Sequence, residues 1–158
     1  MKPQNFDSVL KFVHKCRREG KIIVTTNGCF DILHIGHIHS LTAAKNLGDV
    51  LIVGVNSDTS VRKLKGNSRP VVPEYERAEV IGSLKTVDAV FIFKEENPKK
   101  WLAKLKPDIH VKGNDRKISE IIEKDTVEKN GGKIVLIPID KNKSTTNIIE
   151  KIKGKNLK

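Results

Sequence analysis

At 158 residues, 37% of them hydrophobic, the chain is long enough for one domain, and a domain of this size buries roughly 70% of the surface its unfolded form exposes. Lys and Arg number 30 against 19 Asp and Glu, a net charge of +11 that draws anions, be they nucleotides, nucleic acid or acidic lipids. Cys16 and Cys29 lack the spacing of a disulfide framework or a zinc site, and no apolar run approaches the ~20 residues that cross a bilayer, so we expect a cytoplasmic protein with no membrane association.

Phe6, Val9, Leu10 and Val13 recur at helical spacing and predict a short amphipathic helix ending near Gly20, before a buried strand over 22–26. Gly28 is expected to permit the turn that follows, and Leu41, Ala44 and Leu47 mark a helix over 35–47. A strand over 50–55 leads through a short polar segment to a helix over 73–84 and a strand over 89–93. Pro98 can open the next helix, with Trp101, Leu102 and Leu105 on one side and Pro107 and Asp108 at its end, ahead of a strand over 109–111. Ile118, Ile121, Ile122 and Val127 predict a further helix stopped by Gly131 and Gly132, then a strand over 134–137 and a last helix over 145–152.

Strands that are continuous apolar runs and alternate with helices predict an α/β fold: a single Rossmann-like, doubly wound parallel sheet of about five strands with helices on both faces. Residues 1–153 form the expected domain and 154–158 a basic tail. Ligands of such sheets bind beyond the carboxyl ends of the strands. The one long irregular loop, 63–75, is therefore a candidate for binding.

Between the first strand and the second helix stand His34 and His37, three residues apart and so on one face of the helix's first turn. Unpaired N–H groups and the positive dipole end at a helix start favour a polyphosphate, and two imidazoles add donors. A metal reading that adds His39 lacks a supporting carboxylate and the His-Glu-x-x-His spacing. Cys29 reads as a small turn residue and not as a nucleophile. Ser144, Thr145 and Thr146 open the last helix, where a hydroxyl and free N–H groups make a second anion site, or a plain N-cap.

The run Gly28-Cys29-Phe30-Asp31-Ile32-Leu33-His34-Ile35-Gly36-His37, with Ser144-Thr145-Thr146 downstream, resembles the cytidylyltransferase-like nucleotidyltransferases and their Gly-x-Phe-Asp-x-x-His-x-Gly-His signature. Within that family, residues 61–66, Arg69-Pro70-Val71-Val72-Pro73, Glu76-Arg77-Ala78 and 106–113 are similar to the adenylyltransferases that activate heptose 1-phosphate. Two places depart from that pattern: Asn142-Lys143 stands where those enzymes commonly have Gly-Arg, and Gly113-Asn114-Asp115-Arg116 where they often have Gly-Gly-Asp-Tyr. The first replaces a planar guanidinium by a point charge.

The resemblance implies transfer of AMP from ATP, or another nucleoside triphosphate, to a phosphorylated sugar, with Mg2+ on the nucleotide and a homodimer as the assembly. It implies that His34, His37 and Lys65 are catalytic, and that Thr26, Asn27, Gly28, Cys29, Phe30, Gly36, Asn114, Asp115, Ser144, Thr145 and Thr146 bind the nucleotide. Asp31, Arg69, Arg77 and Lys112 are then expected around the acceptor, with Asp31 shaping the turn through hydrogen bonds. Rival readings are a cytidylyltransferase acting on glycerol 3-phosphate or another alcohol phosphate, and an FAD synthetase. A basic nucleic-acid-binding module is the non-enzyme rival, and it needs stacking aromatics; Trp101, Tyr75 and five phenylalanines are too few and mostly at core-like spacings, so no nucleic-acid partner is expected.

Overall fold

The alternation of strands and helices is realised in a computed structural model, which describes residues 1–115, 117–140 and 143–154. Five parallel strands, β1 (Ile23–Gly28), β2 (Val50–Asn56), β3 (Ala89–Phe93), β4 (Ile109–Gly113) and β5 (Lys133–Ile137), lie in the order β3-β2-β1-β4-β5. The chain order reverses between β1 and β4, the position where an open α/β sheet leaves a crevice at its carboxyl edge. At the amino edge, Asp49, Asp88 and Asp108 accept from the N–H groups of Ile22, just before β1, of Leu51 and of Ile23. These carboxylates pair strand-end donors that would otherwise go unmatched.

Alternation along the strands divides the core in two. Val24, Leu51, Val53, Val55 and Val111 face α2 (Ile35–Lys45) and α4 (Glu74–Gly82), while Ile23, Ile52, Phe91 and Phe93 face α1 (Phe6–Arg18), α5 (Lys99–Leu105) and α6 (Lys124–Lys129). Both faces are covered, as the apolar runs require. Among the described residues α3 (Asp58–Lys65) and α7 (Thr145–Ile152) complete the helices, and no helix is long and apolar enough to cross a membrane.

Three local expectations are corrected. The first strand runs on through Asn27 and Gly28, which keeps these residues in the ladder opposite Gly54 and Val55. Residues 63–65 close α3 and are not loop. This helix is capped by Ser57, whose Oγ accepts from Ser60 N at 3.2 Å, and it buries only Ser60 and Val61, too few apolar positions to show a period. The helix expected from Ile118 breaks at Ile121 into a 3-10 turn (Ile118–Glu120) and the short α6; Ile118 and Ile122 are exposed while Ile121 and Val127 are buried, and Glu123 turns inward. The expected tail falls largely at 155–158, outside the described residues.

Candidate active site

Beyond β1 the chain passes through Phe30, whose φ of 47° lies in the left-handed region that non-glycine residues seldom adopt. The turn expected at Gly28 is thus made two residues later. Gly28 serves by its missing side chain, since a Cβ there would stand 3.1 Å from the Phe30 ring. The chain then enters α2 with His34 as N-cap and His37 in the first turn. Their rings stack with centroids 3.8 Å apart, and the edge of Phe30 closes on His37 at 5.2 Å.

Protonation follows from these contacts. His34 N–H donates to His37 Nδ1 at 3.4 Å, which leaves the His37 proton on Nε2. Burial, the neighbouring His34 and the charge of Lys65 push His37 down to about 4, and burial lowers His34 as well. Both rings are therefore neutral donors at pH 7. Gly36 packs beneath them, where a Cβ would come within 3.0 Å of His34 Nδ1 and 3.2 Å of Lys143 Cβ. Burial raises the Cys29 thiol, so it stays protonated and unreactive.

The last helix returns to the same place. Ser144 caps α7 through its Oγ, which accepts from Asn147 N at 3.1 Å, and Thr145 Oγ1 donates to Ile32 O at 3.2 Å. That second bond joins two segments 113 residues apart, so the starts of α2 and α7 open onto one cavity of about 530 Å³. Each start presents N–H groups without intrahelical partners.

Of the residues expected here, the cavity wall contains Thr26, Asn27, Gly28, Cys29, Phe30, His34, Gly36, His37, Lys65, Lys112, Asp115, Ser144, Thr145 and Thr146. Ser40, Leu41, Gly113, Ile137, Ile139, Asp140 and Lys143 join it without having been singled out as site residues. Ser40 was legible as one turn beyond Gly36, and Ile137 and Asp140 as the carboxyl end of β5 and the segment after it. A second cavity of about 360 Å³ shares Thr26, Asn27, Lys112, Gly113 and Asp115 and extends towards Asn56, Glu96, Asn97, Glu120 and Glu123. A third, of about 510 Å³, shares Lys65 and Thr146 and holds Arg69 and Lys153.

Four expected residues are placed otherwise. Asp31 is buried, and its carboxylate accepts from Val71 N at 2.7 Å, Val72 N at 3.0 Å and Arg69 Nε at 2.5 Å. Burial alone would raise it, but these donors hold it below the ordinary carboxylate range. It fastens the 66–73 loop and stays off the cavity walls. Arg69 spends its Nε on that pair and lines the third cavity, not the first or the second. Arg77 is 1% exposed, and its guanidinium donates to Cys29 O, Asn56 O, Val72 O and Asp58 Oδ1, so it ties β1, β2 and the loop together and cannot clamp a substrate from outside. Asn114 points to the segment just after β5, where its Oδ1 accepts from Ile139 N. Arg116 and Asn142, the departures noted in sequence, lie outside the described residues.

Magnesium takes near-octahedral oxygen ligands and is usually held by substrate phosphates, waters and one or two carboxylates. Among the described residues no cluster of three or more His, Cys, Asp or Glu could cage a metal, while Asp115 and Asp140 put carboxylates on the cavity wall. This donor set fits an ion that arrives on a triphosphate.

Neutral imidazoles, three lysines and two helix starts around one cavity make a site whose donors and charges suit phosphate groups. Known proteins agree, for the chain belongs to the cytidylyltransferase-like family, whose profile matches residues 25–151. It is 49% identical over 136 residues to the bifunctional protein HldE of Syntrophotalea carbinolica, covering 86% of this chain and 28% of that protein. With the bifunctional protein HldE of Geotalea uraniireducens it shares 45% over 157 residues, covering 99% of this chain and 32% of the relative. The chain thus spans about a third of the length of these relatives. Among solved structures, the lipopolysaccharide core biosynthesis protein of Thermoplasma volcanium superposes with a TM-score of 0.64 at 37% identity, over 77% of this chain and 98% of that one.

Proposed function

We propose that the chain transfers AMP from ATP to a sugar 1-phosphate, D-glycero-β-D-manno-heptose 1-phosphate, releasing pyrophosphate and forming ADP-heptose. One observation carries the reading: the stacked His34 and His37 at the start of α2 and Ser144 at the start of α7 face a single cavity, a layout suited to grip a triphosphate at two points.

An acceptor phosphate oxygen attacks the α-phosphorus in line, and the bond from that phosphorus to the bridging oxygen breaks as pyrophosphate leaves. The attacking oxygen is already an anion at neutral pH, so no general base is required. His37 Nε2–H and the His34 ring donate to oxygens whose charge grows in the transition state, and being neutral they do so without proton loss. Ser144 and the N–H groups of α7 hold the outer phosphates, and Lys65 and Lys143 add charge. Asp115 and Asp140 would help to hold a magnesium ion brought by the nucleotide, which would supply further neutralisation of phosphate charge. Aligning two anions in this way is itself a large part of the rate.

The acceptor assignment draws on the second cavity, where Asn56, Asn97, Glu96 and Glu120 offer amides and carboxylates that pair with hydroxyl groups. The resemblance of 106–113 and 69–73 to heptose 1-phosphate adenylyltransferases and the name of the Thermoplasma protein support a sugar. The test is pyrophosphate release from ATP and CTP with heptose 1-phosphate, glycerol 3-phosphate and riboflavin phosphate. Fastest release with ATP and heptose 1-phosphate is expected, and a preference for CTP with glycerol 3-phosphate refutes the assignment.

A further inference from the structure

Glu123 is 2% exposed, and its carboxylate meets two residues of β4: Lys112 Nζ at 2.7 Å and His110 Nε2 at 3.4 Å. His110 is wholly buried and meets Thr25 Oγ1 at 2.8 Å through Nδ1. A carboxylate removed this far from water needs a cation as partner, and Lys112 provides it. The lysine is held from its other side too, donating to Asn27 Oδ1 at 3.0 Å. An ammonium has three N–H groups, so with one spent on Asn27 and Glu123 held as an ion pair at least one remains for a ligand.

Lys112 and Asn27 both belong to the wall shared by the first and second cavities. A lysine stem is otherwise a flexible chain whose charge wanders, and near a triphosphate it would turn towards the greater negative charge. With Glu123 on one side and Asn27 on the other, the ammonium stays at the boundary where acceptor and nucleotide meet. Glu123 also cancels much of its field, so the triphosphate gains little from Lys112.

Resting on the nucleotidyl-transfer reading above, we propose that Glu123 is a positioning residue: it holds the Lys112 ammonium at the boundary of the two cavities, where the remaining N–H binds the attacking phosphate of the acceptor. Glu123→Gln keeps the shape and removes the charge. It should raise the KM for the sugar phosphate about tenfold, the scale of a hydrogen bond to a charged group, while the Kd of a non-hydrolysable ATP analogue, read by calorimetry, changes less than about twofold. Glu123→Asp keeps the charge on a shorter stem and should raise the acceptor KM less than Gln does. A residue that merely packs would give the opposite order, because Asp leaves the larger void. Should the Gln variant not fold, Asp alone decides: a raised acceptor KM with unchanged nucleotide affinity supports the proposal and an unchanged KM overturns it. Equal losses for acceptor and nucleotide, or Asp worse than Gln, overturn it as well. Wild-type protein that turns over no acceptor overturns both readings, whereas turnover with an acceptor KM that Glu123→Gln leaves unmoved overturns the positioning role alone.

Discussion

Arg77 and Asp58 meet at 2.8 Å beneath the end of β2, and the same guanidinium holds the carbonyls of Cys29, Asn56 and Val72. A cation so placed fixes where β1 and β2 release the chain into the cavity. Arg77→Met should therefore cost about 3 kcal/mol of folding stability, since it strips several buried acceptors of their donor. Urea denaturation measures it. A variant of wild-type stability whose only defect is a raised KM would restore Arg77 to the role of an external clamp.

His37→Ala should lower kcat by about 100-fold or more and change nucleotide affinity little, because a neutral imidazole donor matters most as charge develops on the phosphoryl oxygens. Single-turnover rates beside calorimetric ATP binding separate the two effects. Equal losses in both would make His37 a simple binding residue.

Ser144 caps α7 and, in the proposed reading, also holds the outer phosphates, so one substitution tests both roles. Ser144→Ala should cost about 1 kcal/mol through loss of the N-cap and should weaken ATP more than AMP, since AMP lacks the outer phosphates. Calorimetry with each nucleotide is the check, and equal weakening of the pair counts against the outer-phosphate assignment.

Gly36→Ala should separate stability from turnover. Alanine favours a helix by about 1 kcal/mol over glycine, so Tm should hold or rise, yet the new Cβ presses on His34 at 3.0 Å and on Lys143 at 3.2 Å. A tilted His34 should cost about tenfold in kcat. Unchanged turnover would show that the ring tolerates the shift.

Acid should weaken the fold in two windows. His37 sits near pH 4 when folded against 6.5 when unfolded, and His34 and His110 are lowered too, so the unfolded chain binds more protons in between. The His37 contribution is complete above pH 6.5 and is lost as pH falls towards 4. For His37 it is on the order of 2 kcal/mol once solvent screening is allowed for. Burial alone would raise Glu123, but His110 and Lys112 hold it at about 2, so its contribution is complete above pH 4.5 and fades as pH falls towards 2. Urea midpoints at pH 7.5, 5.5, 4.5 and 3.5 should trace both declines, and His37→Asn should flatten the first.

Much of this architecture was legible because apolar runs and glycine punctuation have clear periods. Strand β2 is buried at every position and could be little else. The histidine segment was legible from chemistry that needs those residue types at that spacing. Arg77 was not, because a guanidinium bound for carbonyl oxygens leaves the same letter in the sequence as one bound for phosphate. Helix α3 escaped notice for want of apolar positions, and Glu123 because its partners lie on a strand 11 and 13 residues earlier. Pairings of that kind are made by packing, and a linear pattern carries no trace of them.

The bond from Thr145 Oγ1 to Ile32 O bears on how the cavity is completed. Without α7 the chain can still lay down all five strands and present both histidines, yet its cavity lacks the wall that this helix supplies. Until α7 docks, that cavity stands open along one side, so a single hydroxyl bond helps decide whether the starts of α2 and α7 face one another at all.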